Sequence, residues 1–171
     1  MKKELELYIH IPFCVRKCAY CDFLSGPADY EAQRSYKEAL IREIENVESF
    51  VDSEVSSIFI GGGTPSVFSE QWMAEVLEKV YTHFNVRQDA EISIEANPGT
   101  VDLGKLAVYR QAGINRISFG GQSGDNRELK LLGRIHTWEE FRESFSMARE
   151  AGFSNINVDL MSGLPGQSLA S

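Results

Sequence analysis

No run in the 171 residues approaches the roughly 18 consecutive apolar residues of a membrane-spanning helix. The amino terminus, MKKELELYIH, has two lysines but no apolar stretch of signal-peptide length. These two absences point to a cytoplasmic protein whose thiols stay reduced. Basic residues are in deficit as well: Lys and Arg number 17 against 25 Asp and Glu, a formal net charge of −8. With no Lys/Arg run, the electrostatic footprint of a nucleic-acid partner is missing. No internal repeat, low-complexity tract or linker interrupts the chain, which leaves residues 1–171 as one domain. At 43% hydrophobic residues it can bury a substantial core. There is also no fourth cysteine, and an odd set cannot pair off into an internal disulfide framework.

What is present starts with those cysteines. Cys14, Cys18 and Cys21 fall together in CVRKCAYC, after a strand-like run, LELYIHI, that Pro12 ends. Iron–sulfur clusters are held by Cys thiolates, and a cube takes four ligands. As a [4Fe-4S] site this loop would leave one iron open to something other than protein, much as a catalytic zinc keeps a position free. On the residues alone two other readings stand: a partial zinc site completed by His10 or Asp22, and three unrelated thiols.

Strand-like and helical patterns alternate along the rest. Tyr36, Leu40, Ile44 and Val47 share one helical face after Asp29, and Met73, Val76, Leu77, Val80 and Phe84 another, with Ser69 as its N-cap. A third helix is expected from about Asp102 to Gln111, ended by Gly113. Thr137 and Glu140 form a capping box ahead of Trp138, Phe141, Phe145 and Ala148, with Gly152 as the stop. The strands are Leu5–Ile11, Ser56–Ile60, Glu91–Asn97, Ile114–Gly120 and Ile156–Met161. Such alternation implies βαβ units and a parallel sheet with outer helices. Gly121 to His136 is expected as a long functional loop. Because five parallel strands leave an open edge, the chain, ending at Ser171, is expected to be the first part of a larger (β/α) barrel. A natural open sheet is the alternative.

In parallel α/β folds ligands gather beyond the carboxyl ends of the strands, and the unusual residues fall there. The cysteine loop follows the first strand and Gly61-Gly62-Gly63-Thr64-Pro65 the second. Glu95 and Asn97 close the third, Gln122 and Ser123 follow the fourth, and Asp159 lies late in the fifth. The glycine turn lets backbone approach a ligand, or is simply a tight turn. Glu95 and Asp159 follow residues that read as buried, where a carboxylate needs a partner. Arg134 could hold a ligand carboxylate.

The cysteine spacing, three residues and then two, resembles that of the radical S-adenosylmethionine (SAM) enzymes. The wider sequence is similar to one branch of them, the oxygen-independent coproporphyrinogen III oxidases and their relatives. The likeness rests on YIHIPFCVRKCAYCDF, FIGGGTPS, EANPG, AGINRISFGGQS, LLGRIHT and AGFSNINVDLMSGLPGQ, in that order over almost the whole chain. It implies an α/β fold, a partial (β/α) barrel of the radical SAM type. It also implies a [4Fe-4S] cluster on Cys14, Cys18 and Cys21, whose open iron takes S-adenosyl-L-methionine for reductive cleavage to a deoxyadenosyl radical. By the same resemblance Tyr8, Tyr20, Gly62, Gly63, Thr64, Glu95, Gln122, Arg134 and Asp159 contact that ligand.

The true oxidases carry a further cysteine two residues after the third, where this chain has Phe23. That difference resembles the HemW-type heme chaperones, which bind heme and pass it to target proteins. The expected function is therefore heme trafficking, with heme as cargo and a heme-accepting protein as partner. Oxidative decarboxylation of coproporphyrinogen III is the alternative. Of the three histidines, His10 is expected in a strand, His83 on a helix surface and His136 in a loop, and none stands out as an axial ligand. Gly121 and Gly124 replace a bulky apolar residue and an aromatic one of the relatives, which is expected to loosen the loop bearing Gln122.

Overall fold

A computed structural model describes residues 3–47 and 53–168; Ser171 lies outside the described residues. The elements run β1 (Lys3–Ile11), α1 (Tyr30–Glu45), β2 (Ser53–Gly62), α2 (Glu70–His83), β3 (Asn85–Ala96), α3 (Leu103–Gln111), β4 (Arg116–Gln122), α4 (Asn126–Leu131), α5 (Trp138–Glu150) and β5 (Asn155–Leu160), with a 3-10 turn at Pro65–Val67. Every strand pair is parallel and the sheet order follows the chain, β1-β2-β3-β4-β5. Among the described residues no helix is long and apolar enough to cross a membrane.

The helices start where local chemistry lets them. Asp29, Asp102 and Asp125 each accept a backbone N–H in the first turn of α1, α3 and α4, and Thr137 with Glu140 makes the reciprocal capping box of α5. Ser69 differs from expectation. It sits at the N-cap position of α2 without capping it, because its hydroxyl donates to Gln71 Oε1 at 2.8 Å instead. Val47 lies beyond α1, and the expected loop from Gly121 to His136 contains α4. The fourth strand begins two residues later than its apolar pattern suggests. Asn115 takes that place with its side chain, accepting from Ile92 N–H at 2.8 Å and donating to Ala90 O at 2.8 Å.

The sheet has two unlike faces, a consequence of the two-residue side-chain period. Ile9, Ile11, Ile58, Ile60, Ile92, Ile94, Ile117 and Phe119 are buried with Met73, Leu77, Val80, Leu106, Phe141 and Ala148 of the covering helices. Apart from the paired aromatics Tyr8 and Phe59, the alternate residues near the strand ends are polar or small. Glu95 stands beside Ser118, Ser118 beside Asn157, Gly120 beside Asp159 and His10 beside Gly61. Helices therefore cover one face, and the other presents a polar wall that leads up to the strand ends.

Candidate functional site

The cysteine loop is tied at its base and at its tip. Cys14 N–H donates to Gly26 O and Gly26 N–H to Pro12 O, both at 3.0 Å, closing residues 12–26 into a loop. At the tip, Ala19 N–H donates to Leu132 O at 3.1 Å and Arg16 to Gly133 O at 2.7 Å, which fastens the loop to the end of α4. The three thiols are half-buried, and two accept protein donors: Cys14 Sγ from Thr64 Oγ1 and Cys18 Sγ from Arg134 Nη1, both at 3.6 Å. Among the described residues no group of three or more His, Cys, Asp or Glu side chains converges on a point where one metal ion could sit.

The glycine turn lies directly against this loop. Gly63 N–H donates to Ile11 O at 2.9 Å and Thr64 N–H to Phe13 O at 2.7 Å. A Cβ on Gly63 would stand 2.7 Å from Phe13 O and 2.9 Å from Cys14 Sγ. Gly62 has φ +120°, in the region only glycine enters readily, and its N–H donates to Glu95 Oε2 at 3.2 Å.

Cys14, Cys18, Cys21, Tyr20, Gly63, Thr64, Glu95, Gln122, Arg134 and Asp159 line a single cleft of about 180 Å³ at the strand ends. Gly62 and Tyr8 stand just outside it. Tyr8 stacks on Phe59 with centroids 6.2 Å apart, and its hydroxyl is 3.0 Å from His10 Nδ1. Gln122 has φ +65°, the only non-glycine residue with positive φ among those described.

Burial pushes the Glu95 carboxyl above its ordinary range, opposed by the Gly62 N–H and reinforced by Asp159. Asp159 is exposed rather than buried as its sequence context suggests, and it accepts from Ser118 Oγ at 3.0 Å and Asn157 Nδ2 at 2.8 Å. Arg134 donates to Asn97 Oδ1, to Gly120 O at 2.8 Å and to Tyr20 Oη at 3.3 Å, while its buried Nε has no partner among the described residues. Neither carboxylate, nor the guanidinium, has an ion-pair partner among the salt bridges of the described residues. Ser118 escapes sequence reasoning because only strand register brings it to Asp159, whereas Asn157 lies two residues before Asp159 on the same strand face.

Gly121 corrects the expectation of a loosened loop. It is buried, and a Cβ there would meet Val158 Cγ1 at 3.0 Å and Phe141 at 3.4 Å, so the backbone packs directly against both; only Gly124 faces open space. His136 is likewise buried, at 4% exposure, with Nε2 3.3 Å from Gly121 O and Nδ1 without a partner among the described residues. Burial, helped by the Arg134 charge, pushes its pKa down to about 4. Between that value and the unfolded value near 6.5 the unfolded chain takes up a proton that the folded one refuses. The contribution is fully present above pH ~6.5 and is lost as pH falls toward 4. Denaturant melts at pH 7 and pH 4.5 should show wild type losing about 2–3 kcal/mol more than His136→Asn; equal losses would refute the assignment.

The radical SAM superfamily model matches residues 8–171. The chain therefore belongs to the radical SAM superfamily, which agrees with a sheet whose cysteine loop, glycine turn and polar wall meet at the strand ends. Within it, the chain is 46% identical over 167 residues to the heme chaperone HemW of Escherichia coli strain K12, covering 96% of this chain and 44% of that protein. It is 42% identical over 171 residues to HemW of Haemophilus influenzae, with 96% and 45% covered. Among solved structures it resembles the coproporphyrinogen III oxidase HemN of Escherichia coli, with TM-score 0.89 and 33% identity over 97% of this chain and 38% of that one. The fold is thus the partial radical SAM barrel of that branch. The chain spans less than half the length of the curated relatives it matches.

Proposed function

We propose that Cys14, Cys18 and Cys21 hold a [4Fe-4S] cluster, that S-adenosyl-L-methionine binds the adjoining cleft, and that the protein serves heme trafficking in the cytoplasm as a heme chaperone. The observation that carries the cofactor reading is the presence of both charge signs in the one cleft beside the thiols: Glu95, Asp159 and Arg134 all line it, none of them in a salt bridge among the described residues. A ligand bearing both a cationic end and a carboxylate neutralises the two at once. When bound, the reduced cluster supplies the electron for SAM cleavage. The residues of this chain bind and orient: Gly62 N–H fixes Glu95, Ser118 and Asn157 fix Asp159, and Thr64 and Arg134 donate toward the thiols.

Heme handling is supported by the likeness to the HemW chaperones and by Phe23, 67% exposed where the oxidases carry another cysteine. The likeness to HemN supports a second reading, oxidative decarboxylation of coproporphyrinogen III.

Equilibrium binding of SAM to the reconstituted protein tests the cofactor reading. Affinity should weaken as pH falls through the raised pKa of Glu95, since a protonated carboxyl no longer attracts a cation. Glu95→Gln should lose about 10- to 150-fold in affinity, the worth of a hydrogen bond to a charged group, and should lack that pH dependence; unchanged affinity would overturn the role. Anoxic incubation with coproporphyrinogen, reductant and SAM separates the two functions. Heme binding without vinyl product is expected, and vinyl product would overturn the chaperone reading.

A further inference from the structure

Arg134 has a neutral partner where an ion pair would be the ordinary solution. Its Nη2 donates to Asn97 Oδ1 and to Gly120 O, and its Nη1 reaches Tyr20 Oη and Cys18 Sγ. A guanidinium offers five N–H donors and is always charged. Here the amide of Asn97 accepts one donor without cancelling any charge. An aspartate, nearly the same shape, would accept it and neutralise the arginine.

Asn97 is itself held rigidly, one residue beyond β3. Its backbone N–H donates to Ser66 Oγ at 3.0 Å, and its carbonyl accepts from Thr100 N–H at 3.1 Å and Thr100 Oγ1 at 2.7 Å. Ser66 is 0% exposed and shares a 2.5 Å hydrogen bond with Thr100 Oγ1, while Lys105 Nζ holds Ser66 O at 2.8 Å. These bonds fix the backbone from which the side chain projects, and a group anchored at its root sets the position of what it binds.

We propose that Asn97 is a positioning residue that aims the Arg134 guanidinium into the cleft while leaving its charge free for a ligand carboxylate. This rests on the reading of the cleft as the SAM site. The proposal adds a requirement that position 97 be neutral, because a carboxylate there would compete with the ligand's own.

The test compares SAM with its decarboxylated analogue, which keeps the sulfonium and amine but lacks the carboxylate. Wild-type reconstituted protein should prefer SAM. Asn97→Asp should lose about tenfold or more of that preference, with the analogue bound as well as before or better, and with iron content and melting temperature equal to or above wild type because a new ion pair forms. A merely structural role would lower the melting temperature and leave the preference intact; that result overturns the proposal. Should Asn97→Asp fail to fold, Asn97→Ala should lose SAM affinity while keeping affinity for the analogue, and equal loss for both would also overturn it. If wild type binds neither compound, or both equally, the reading of the cleft fails and the proposal with it.

Discussion

Replacing Cys18 with alanine should leave the reconstituted protein without its iron–sulfur cluster and with its fold intact. The Cys18 side chain accepts one long hydrogen bond from Arg134, and its carbonyl, which alanine retains, accepts from Cys21 N–H at 3.2 Å. The stability change should therefore stay within the small range of part-exposed substitutions, about 0.5 kcal/mol. The chemical loss is total because the sequence has no other cysteine to take over. Iron and acid-labile sulfide analysis after anaerobic reconstitution should give about four of each per wild-type chain, the composition of the cube, and close to none for the variant. A full complement in Cys18→Ala would refute the ligand assignment, and stoichiometric zinc without sulfide in wild type would refute the cluster.

A single methyl group on Gly63 should damage the same site without touching a thiol. Its Cβ would meet Phe13 O at 2.7 Å, Cys14 Sγ at 2.9 Å and Ser25 Cβ at 2.9 Å. The first is backbone, so it cannot swing aside as the end of a flexible side chain would. Gly63 cannot back away either, since its N–H is bonded to Ile11 O. Overpacking of this kind costs about 1–3 kcal/mol, and the displacement falls on Cys14. Gly63→Ala should melt earlier and hold less iron after reconstitution, whereas Gly124→Ala, with nothing within 4 Å of its Cβ, should match wild type in both. Unchanged melting and iron content in Gly63→Ala would show that the turn and the cysteine loop are not in rigid contact.

Some of this protein could be read from neighbours in the chain, because the forces concerned act over a few residues. The helical faces of Met73, Val76, Leu77 and Val80 and of Phe141 and Ala148 are buried as their spacing requires. The Thr137 capping box forms, and Gly113 and Gly152 end their helices with positive φ. Three thiols within eight residues are close in any fold. Ser69 shows the limit even locally: a side chain has more than one acceptor in reach, and Gln71 competed with the helix terminus.

The cleft was legible only as a set of residues at strand ends. The sheet register decides that Ser118 flanks Asp159, and the same register turns Glu95 and His10 to one face. Arg134 reaches Cys18 across 116 residues of sequence and Asn97 across 37. Periodicity and capping rules carry no information over such separations, since those contacts depend on how α4 packs against the cysteine loop and on how far β3 and β4 extend. The sequence by itself determined the parallel α/β alternation, the thiol loop and the glycine turn, all encoded in spacings of two to five residues. Only the tertiary structure decided which polar groups meet, which charges stay unpaired and that Asn97 stands between Ser66 and Arg134, because each of these needs the backbone of distant segments to be fixed first.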